Sequence, residues 1–248
     1  MPRREIPRST RVAVLSDVHG NATALSAVLA AVDREQPDLI VFGGDLTWGA
    51  EPMATFELAS ARGAQAFFVR GNADRALSER TGETERERWM QERHSPQALD
   101  FVEHFEEQAV VEVEGLGRVR FCHGSPRSDE ECVTPETPSE RVEEFMTGVA
   151  ERVLVTAHVH IQFDRQVAGV RSVNPGSVGL PYGAAPAAYW ALLGPNVELR
   201  RTDYDVSAAA AAYRESGFPD AEAMVEMLEH PPSRAEVIKD AEQRVFAG

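Results

Sequence analysis

Two histidines lie one residue apart in the stretch TAHVHI, at His158 and His160, directly after an apolar run. Alternate residues of a regular strand point to the same face, so both imidazoles could reach one neighbour, such as a metal ion. An isolated pair of this kind is more often two ordinary loop or half-buried histidines, because imidazole has many other uses. The rest of the chain has to distinguish these two interpretations.

Side chains that can bind metals also follow four earlier apolar runs of the sequence. Each carries a nitrogen or oxygen ligand atom, and they are Asp17, His19, Asp45, Asn72 and His123. Ligand sites form where the carboxyl ends of parallel strands meet, so one parallel sheet would bring these side chains to a single edge. Mixed imidazole and carboxylate ligands favour manganese, iron, zinc, cobalt or nickel over calcium. The ordered set therefore predicts a metal site that includes both histidines of the TAHVHI stretch.

The elements that would position these residues alternate between strands and helices. Residues 11–17 form a short β-branched run, and residues 21–35 follow with apolar side chains at helical spacing. The same order recurs at 38–46, before a helix predicted over about 52–62, and again at 65–74. Strands that alternate with helices predict an α/β protein with a largely parallel sheet.

The middle of the chain departs from this alternation. The charged segment from about Asp74 to Glu107 has no strand pattern and predicts one or two helices inserted beside the sheet. Residues 109–124 read as two runs around a pair of glycines, which is typical of a hairpin, and this hairpin ends at His123. Residues 124–138 are rich in Ser, Pro, Glu and Asp and predict a loop.

The last third of the chain predicts more strands and then helices. Residues 165–179 and 187–201 resemble the strands of a second, more antiparallel sheet. From Val206 onward the sequence is rich in alanine and predicts helices that are interrupted at SGFPD. The helices of this tail should pack on the core or pair subunits.

Composition limits the classes of partner. The chain has 248 residues, with 40 acidic and 25 basic residues and a formal net charge of -15. This charge opposes binding to a nucleic-acid polymer, and a bound metal would supply the positive charge that a small phosphorylated substrate needs. Cys122 and Cys132 are too few for a disulfide framework, which predicts a reducing compartment. The basic segment 1–10 precedes an apolar run too short for a signal peptide, and no run could span a membrane, so we expect a cytoplasmic protein.

The motifs SDVHGN, GGDL, RGNAD, CHG and AHVH, followed by VNPGSVG, span residues 11 to about 180. In this order they resemble the calcineurin-like metallophosphoesterase superfamily, and most of all its YfcE-type phosphodiesterase branch. The resemblance implies an α/β fold, a four-layer α/β/β/α sandwich of two mixed sheets. We expect a metallophosphoesterase domain over residues 1–203, with a helical insertion at 75–107 near the active site, and a C-terminal helical extension over 204–248.

The resemblance also implies a dinuclear metal centre. It divides the ligands between two divalent ions, with Asp17, His19 and His160 for one, Asn72, His123 and His158 for the other, and Asp45 as the bridge. Asp45, Asn72 and His123 would be the catalytic residues, and a hydroxide bridging the two ions would attack phosphorus in line. Manganese is the expected ion, with iron, zinc, cobalt or nickel as alternatives.

The chain departs from the family pattern at two positions. The motif G-N-H-[DE] has a histidine that contacts the phosphate and assists the leaving group, but here the residue is Ala73. The resemblance therefore implies a diester with a good leaving group. Candidates for a substitute acid are a metal-bound water, the substrate itself, or His94 or His104 of the insertion, and both histidines could instead be part of a solvated helix face. Asp74 would orient the missing histidine or act as a helix N-cap. Ala157 replaces a motif glycine, which is tolerable if its φ is negative.

Three residues are candidates for contact with the substrate. They are Asn72, Asn21, which could instead cap a helix, and Arg75, which could bind a second phosphate or be an ordinary surface arginine. Cys122 is expected to be a buried, unreactive strand thiol.

The predicted function is metal-dependent phosphoester hydrolysis, most of all that of a phosphodiesterase. A phosphomonoesterase and a dinucleoside polyphosphate hydrolase are alternatives within this class. A non-catalytic scaffold that binds proteins is an alternative from a different class, although a decayed site would have been free to lose ligands and this chain keeps all of them. We expect a small phosphorylated substrate, no nucleic-acid polymer and no membrane as partners, and a homo-oligomer through the C-terminal helices is a further candidate assembly.

Overall fold

The computed structural model describes residue 6 and residues 8–80 and 82–244. Most of the basic segment at 1–10 and the predicted outer domain limits at 1 and 248 therefore lie outside the described residues. Within the described part, no helix is both long and apolar enough to cross a membrane.

The described residues form two five-stranded sheets and nine α-helices. The strands are β1 Val12–Leu15, β2 Leu39–Phe42, β3 Ala66–Phe68, β4 Gln108–Val113, β5 Gly117–Cys122, β6 Val153–Val155, β7 Phe163–Val167, β8 Val170–Asn174, β9 Ala188–Leu193 and β10 Val197–Thr202. The helices are α1 Ala22–Glu35, α2 Pro52–Ser60, α3 Asn72–Glu79, α4 Glu85–Arg93, α5 Pro96–Glu103, α6 Ser139–Phe145, α7 Val206–Ser216, α8 Ala221–Glu229 and α9 Arg234–Gln243.

Both sheets are mixed. The first has the order β10-β9-β1-β2-β3, in which β1, β2 and β3 are parallel and β9 and β10 are antiparallel to their neighbours. The second has the order β4-β5-β6-β8-β7, in which β5, β6 and β8 are parallel and the edge strands are antiparallel. The prediction of one parallel sheet with a separate antiparallel sheet was wrong, because the hairpin β7–β8 joins the second sheet and the hairpin β9–β10 joins the first.

Alternation of side chains along the strands builds four layers. Val12 and Val14 of β1 point into the apolar core between the two sheets, whereas Ala13 and Leu15 point to the helices on the outer face. A third apolar cluster joins the outer face of the second sheet to α6 and α9. The fold is therefore an α/β/β/α sandwich of two mixed sheets, as predicted.

The insertion contains more helices than the one or two predicted. After α3, Arg80 adopts a left-handed conformation with φ of 54°, which ends that helix. Thr84 and Ser95 then accept hydrogen bonds from the backbone N–H groups of Glu87 and Ala98 and so begin α4 and α5. These two caps divide one charged segment into separate helices.

The C-terminal helices pack on the core. Residues of α7 and α8 are buried in the outer cluster of the first sheet, and residues of α9 are buried in that of the second sheet. The extension thus covers both outer faces of the sandwich.

Candidate metal centre

Six of the predicted ligands converge in two groups at the strand ends. In each group the ligand atoms lie within 4.8 Å of one another, and the groups are Asp17, His19 and His160, and Asp45, His123 and His158. The first group combines the loops after β1 and β6, and the second combines those after β2, β5 and β6. The ligands thus come from both sheets, whose carboxyl ends share one edge of the sandwich.

Asp45 lies between the two groups. One of its oxygens, Oδ2, is 3.7 Å from Nε2 of His19 and 3.5 Å from Nε2 of His123. Asn72, at the start of α3, places its Oδ1 3.1 Å from the same nitrogen of His123. Asp45 therefore lies within reach of both groups, while its bridging role and the division of the ligands between two ions stay predictions.

Several of the predicted ligands have a backbone conformation that is rare for residues other than glycine. Nine non-glycine residues of the described chain have positive φ, and five of them are ligands: Asp17 at 52°, His19 at 48°, Asp45 at 53°, His158 at 66° and His160 at 57°. A left-handed residue costs about 1 to 2 kcal/mol and persists only where the surrounding structure imposes it, which is characteristic of functional sites.

The prediction that both histidines of the TAHVHI stretch lie on a regular strand was wrong, because β6 ends at Val155 and both histidines lie in the loop beyond it.

Two glycines allow the chain to approach the ligands closely. A Cβ atom at Gly44, where φ is 105°, would lie 2.5 Å from Nδ1 of His123. A Cβ atom at Gly71 would lie 2.2 Å from Oδ1 of Asp45. Both separations are shorter than van der Waals contact, so these positions require glycine.

Hydrogen bonds fix two of the imidazole rings. Nδ1 of His160 lies 2.6 Å from the carbonyl oxygen of Leu180, and Nδ1 of His123 lies 2.8 Å from that of Gly43. A carbonyl oxygen only accepts, so Nδ1 is the donor in both rings. Nε2 of each ring is left facing the centre, which is the usual arrangement of a metal-binding histidine.

The charge of the centre fits a cation. Asp17 is completely buried, and neither oxygen of its carboxylate has a hydrogen-bond partner among the described residues, although Nε2 of His160 lies 3.3 Å from one of them. An ionised carboxylate buried without full compensation is strongly unfavourable, and a divalent ion would supply that compensation. The donor set of imidazole nitrogens and carboxylate oxygens is also suited to such ions.

The pKa values of the histidines differ according to their surroundings. Burial, followed by the charge of His123, lowers the pKa of His158 to about 4, so the ring is neutral at pH 7. Burial also lowers the pKa of His19. For His123 burial acts in the same direction, but Asp45 outweighs it and raises the pKa to about 10. A metal at that group therefore has to displace a proton from His123.

Asp74 holds the two ligand loops together. Its carboxylate accepts hydrogen bonds from the backbone N–H groups of Gly71 at 2.9 Å, Asp45 at 2.8 Å and Leu46 at 3.1 Å. The N-cap of α3 is Gly71, so Asp74 is the third helical residue and the prediction of an N-cap was wrong. Burial, followed by the charge of Asp45, raises the pKa of Asp74 to about 7, although the backbone N–H groups oppose this shift.

Ala73 stands where the family motif has a histidine, and it contacts the candidate metal centre through its backbone. The N–H of Ala73 donates to Oδ1 of Asp45 at 2.9 Å. His94 is buried rather than solvated, and its nitrogens bond to the carbonyl oxygen of Met90 at 2.6 Å and to Oγ1 of Thr47 at 2.9 Å. His104 is exposed and bonds to Asp100 of its own helix, as the solvated alternative predicts. Neither histidine belongs to the ligand groups.

The other candidate residues have partners within the protein. Asn21 caps α1 by accepting from the N–H of Ala24 at 2.9 Å, and its amide donates to the carbonyl oxygen of Gly179 at 3.0 Å. These contacts favour the helix cap over contact with the substrate.

Arg75 lines a cavity beside His123, where acidic side chains bind its guanidinium. The Cys122 thiol is buried, and burial raises its pKa to about 12. The φ angle of Ala157 is not positive, so alanine is tolerable at this glycine position of the motif.

Two tyrosines support the centre in ways that the sequence did not predict. The ring of Tyr182 stacks on that of His160, with 4.5 Å between centroids. The hydroxyl of Tyr213 in α7 donates to the carbonyl oxygen of His19 at 3.1 Å. These contacts join residues 22 and 194 positions apart, so no local pattern identifies them.

Comparisons with known proteins agree with this geometry. The sequence model of the calcineurin-like phosphoesterase superfamily domain matches residues 10–193. A metallophosphoesterase from Sphaerobacter thermophilus is similar in structure, with 24% identity, a TM-score of 0.71, and coverage of 88% of this chain and 98% of that chain. A hypothetical protein from Pyrococcus horikoshii OT3 has 19% identity, a TM-score of 0.77, and coverage of 89% of this chain and 98% of its own.

A third similar structure is a novel archaeal phosphodiesterase, with 15% identity, a TM-score of 0.50, and coverage of 77% of this chain and 99% of its own. At these identities the structural likeness establishes the fold. No curated protein sequence matches the chain. The family is established by the sequence match, which covers most of the chain and contains every predicted metal ligand. The chain belongs to the calcineurin-like phosphoesterase superfamily.

Proposed function

We propose that this chain is a metal-dependent phosphoester hydrolase with two divalent ions, manganese first among them, and that its preferred substrate is a small phosphodiester. The observation that carries the proposal is the completeness of the centre. Every ligand position of the family pattern is filled, and the buried carboxylate of Asp17 has no hydrogen-bond partner within the part of the chain that the structure describes. A protein that no longer bound metal would gain stability by replacing such a carboxylate.

The chain itself positions the reacting groups. Two divalent ions held by the two groups would polarise a phosphoryl oxygen and lower the pKa of a bound water. Asp45 lies between the groups and keeps them adjacent, while Asp74 fixes the backbone on which Asp45 and Asn72 depend. Asn72 is the first residue of α3 and lies beside His123. We propose that its side-chain amide also contacts the substrate phosphate.

The preference for a diester rests on the absence of an acid for the leaving group. Ala73 has no proton to donate, and the nitrogens of His94 are engaged with Met90 and Thr47. His104 lies at the exposed end of α5, beside a different surface cavity. A general acid contributes roughly 10² to 10⁴ in rate, so a substrate whose leaving group needs no proton is favoured here.

The test is a comparison of two substrates. Metal-stripped protein receives manganese and is assayed on bis-p-nitrophenyl phosphate and on p-nitrophenyl phosphate. We expect manganese-dependent hydrolysis, faster on the diester, and a loss of at least about 100-fold in His123→Ala, because a metal ligand is removed. His230→Ala, which changes an exposed histidine at the end of α8, should retain full activity.

The alternatives predict different results. Faster cleavage of the monoester would contradict the diester preference and indicate a phosphomonoesterase. No turnover of either substrate by folded, manganese-treated protein would contradict hydrolysis and favour a protein-binding scaffold.

A further inference from the structure

A cavity of about 200 Å³ lies beside the metal centre and is rich in arginine. It is bounded by His123, by the loop after β5, by α3 and by the segment before β4. Three arginines line it, Arg70, Arg75 and Arg127, together with the acidic residues Glu107 and Asp129. Whether a guanidinium group here can bind a second anionic group of a substrate therefore depends on how firmly its acidic partners hold it.

Two of the three arginines are already committed to the protein. Nε of Arg75 lies 2.7 Å from Asp129, and one of its terminal nitrogens lies 2.5 Å from Glu130. Arg127 makes a two-pronged pair with Glu131, at 2.9 and 2.7 Å. These pairs neutralise both guanidinium groups and hold the loop after β5 in place. They indicate a structural role for Arg75, in contrast to the predicted contact with a second phosphate.

Arg70 is held much more weakly. Its side chain pairs with Glu107 at 3.0 Å, and the side chain of Glu107 is 76% exposed. An ion pair with a partner so exposed to solvent contributes little to stability. Arg70 can therefore exchange Glu107 for a ligand oxygen at small cost, because Glu107 can move into water.

Arg70 is also placed to reach a substrate at the centre. It lies two residues before Asn72, so the Cα atoms of these residues are at most about 7 Å apart. The guanidinium group binds phosphate oxygens through two parallel hydrogen bonds. We infer that Arg70 binds a second phosphoryl group, and that the substrates of this chain carry one next to the scissile phosphoester. The inference rests on the proposed function and names the class of substrate for the same site.

The test measures binding of a matched pair of ligands to the manganese-treated full chain by calorimetry. Methylenediphosphonate carries two phosphoryl groups and resists hydrolysis, while methylphosphonate carries one. The ratio of their affinities isolates the contribution of the second group. We expect Arg70→Gln to lower this ratio by about 10- to 100-fold, the effect of losing one charge-assisted hydrogen bond. Glu107→Gln removes the competing carboxylate and should raise the ratio.

Arg62→Gln is the matched control, because Arg62 likewise pairs with an exposed acidic side chain, that of Asp33, and does not line the cavity. It should leave the ratio unchanged. An unchanged ratio in Arg70→Gln, or an equal fall in both affinities, would overturn the inference. The readout does not depend on turnover. If the unmodified chain hydrolyses neither nitrophenyl ester, the proposed function fails, while the affinity ratio still decides whether Arg70 selects a second phosphoryl group.

Discussion

Five ligand residues of the candidate metal centre are held in strained backbone conformations. His158, with φ of 66°, is followed by a hydrogen bond from the N–H of Val159 to the carbonyl oxygen of Ala157, at 2.7 Å. A bond across one residue with positive φ is the pattern of a γ-turn, which is rare because it is strained. The turn points His158 to one ligand group while His160 reaches the other. The strained backbone therefore allows two histidines that are close in sequence to reach two different ligand groups.

At the same scale, Ala73 is the residue whose side chain should decide between diester and monoester. Ala73→His restores the histidine of the family motif at the start of α3, beside Asn72. We expect it to raise the kcat for phenyl phosphate at least about 10-fold, and that for p-nitrophenyl phosphate much less, because the more basic phenolate needs a proton as it leaves. Steady-state kinetics of both monoesters would show the change. Ala73→Ser controls for loss of the methyl group, and an unchanged rate on phenyl phosphate at normal manganese content would contradict the role assigned to this position.

At the scale of elements, strand ends from two sheets form the centre. The sequence identified the runs that precede the ligands, and each of these runs contains one of the observed strands. It did not identify the sheet to which each strand belongs. β9, for example, is buried at all six positions and carries no alternation that would distinguish its faces. Sheet membership depends on contacts between residues far apart in the sequence, such as Val12 with Leu193.

The join between β5 and β6 depends on a buried carboxylate. Glu151 precedes β6, and its side chain is 2% exposed. Its carboxylate oxygens form ion pairs with terminal guanidinium nitrogens of Arg118 and Arg120 in β5, each at 2.7 Å. Glu151→Gln should lower the free energy of unfolding by about 1 to 3 kcal/mol at pH 7, since charged hydrogen bonds are lost. Urea unfolding would measure the change. Glu198→Gln, at an exposed pair with Arg200, should change stability by less than about 0.5 kcal/mol.

The effect of Glu151 should depend on pH. Burial opposes ionisation of this carboxyl, but the bonds from Arg118 and Arg120 outweigh burial and lower its pKa. A lowered pKa contributes stability above the ordinary glutamate value of about 4.3, and this contribution is lost as the pH falls through the folded-state value. The difference between the native chain and Glu151→Gln should therefore shrink below about pH 4. A difference that stays constant down to pH 3 would contradict this ion pair as its cause.

In the molecule as a whole, one of the C-terminal helices contacts the candidate metal centre. Tyr213 is buried in the outer core and bonds to the backbone of His19, although the two are 194 residues apart. The sequence predicted these helices, and it predicted the ligands because their types recur after successive apolar runs. The support from Tyr213 and Tyr182 depends on tertiary packing, which leaves no periodic signal. The domain limit at residue 203 stays a prediction.

The whole chain also reconciles a net charge of -15 with an anionic substrate. The ligand groups contain two aspartates, so two divalent ions would leave the centre locally positive. Arg70 at the neighbouring cavity would extend this positive region when it exchanges Glu107 for a ligand oxygen. Most of the acidic surface would then be irrelevant to binding at the centre, because exposed charges farther than about 10 Å are largely screened at 0.1 M salt.

The most direct test of this account is the manganese stoichiometry of the purified chain, measured by elemental analysis after equilibration and removal of free ion. The native chain should hold two ions, because two complete ligand groups are present. His158→Ala should hold about one, because it changes only the second group, while His230→Ala should still hold two. A native chain that retains no manganese or other divalent ion, or a His158→Ala variant that retains as much as the native chain, would contradict the dinuclear centre.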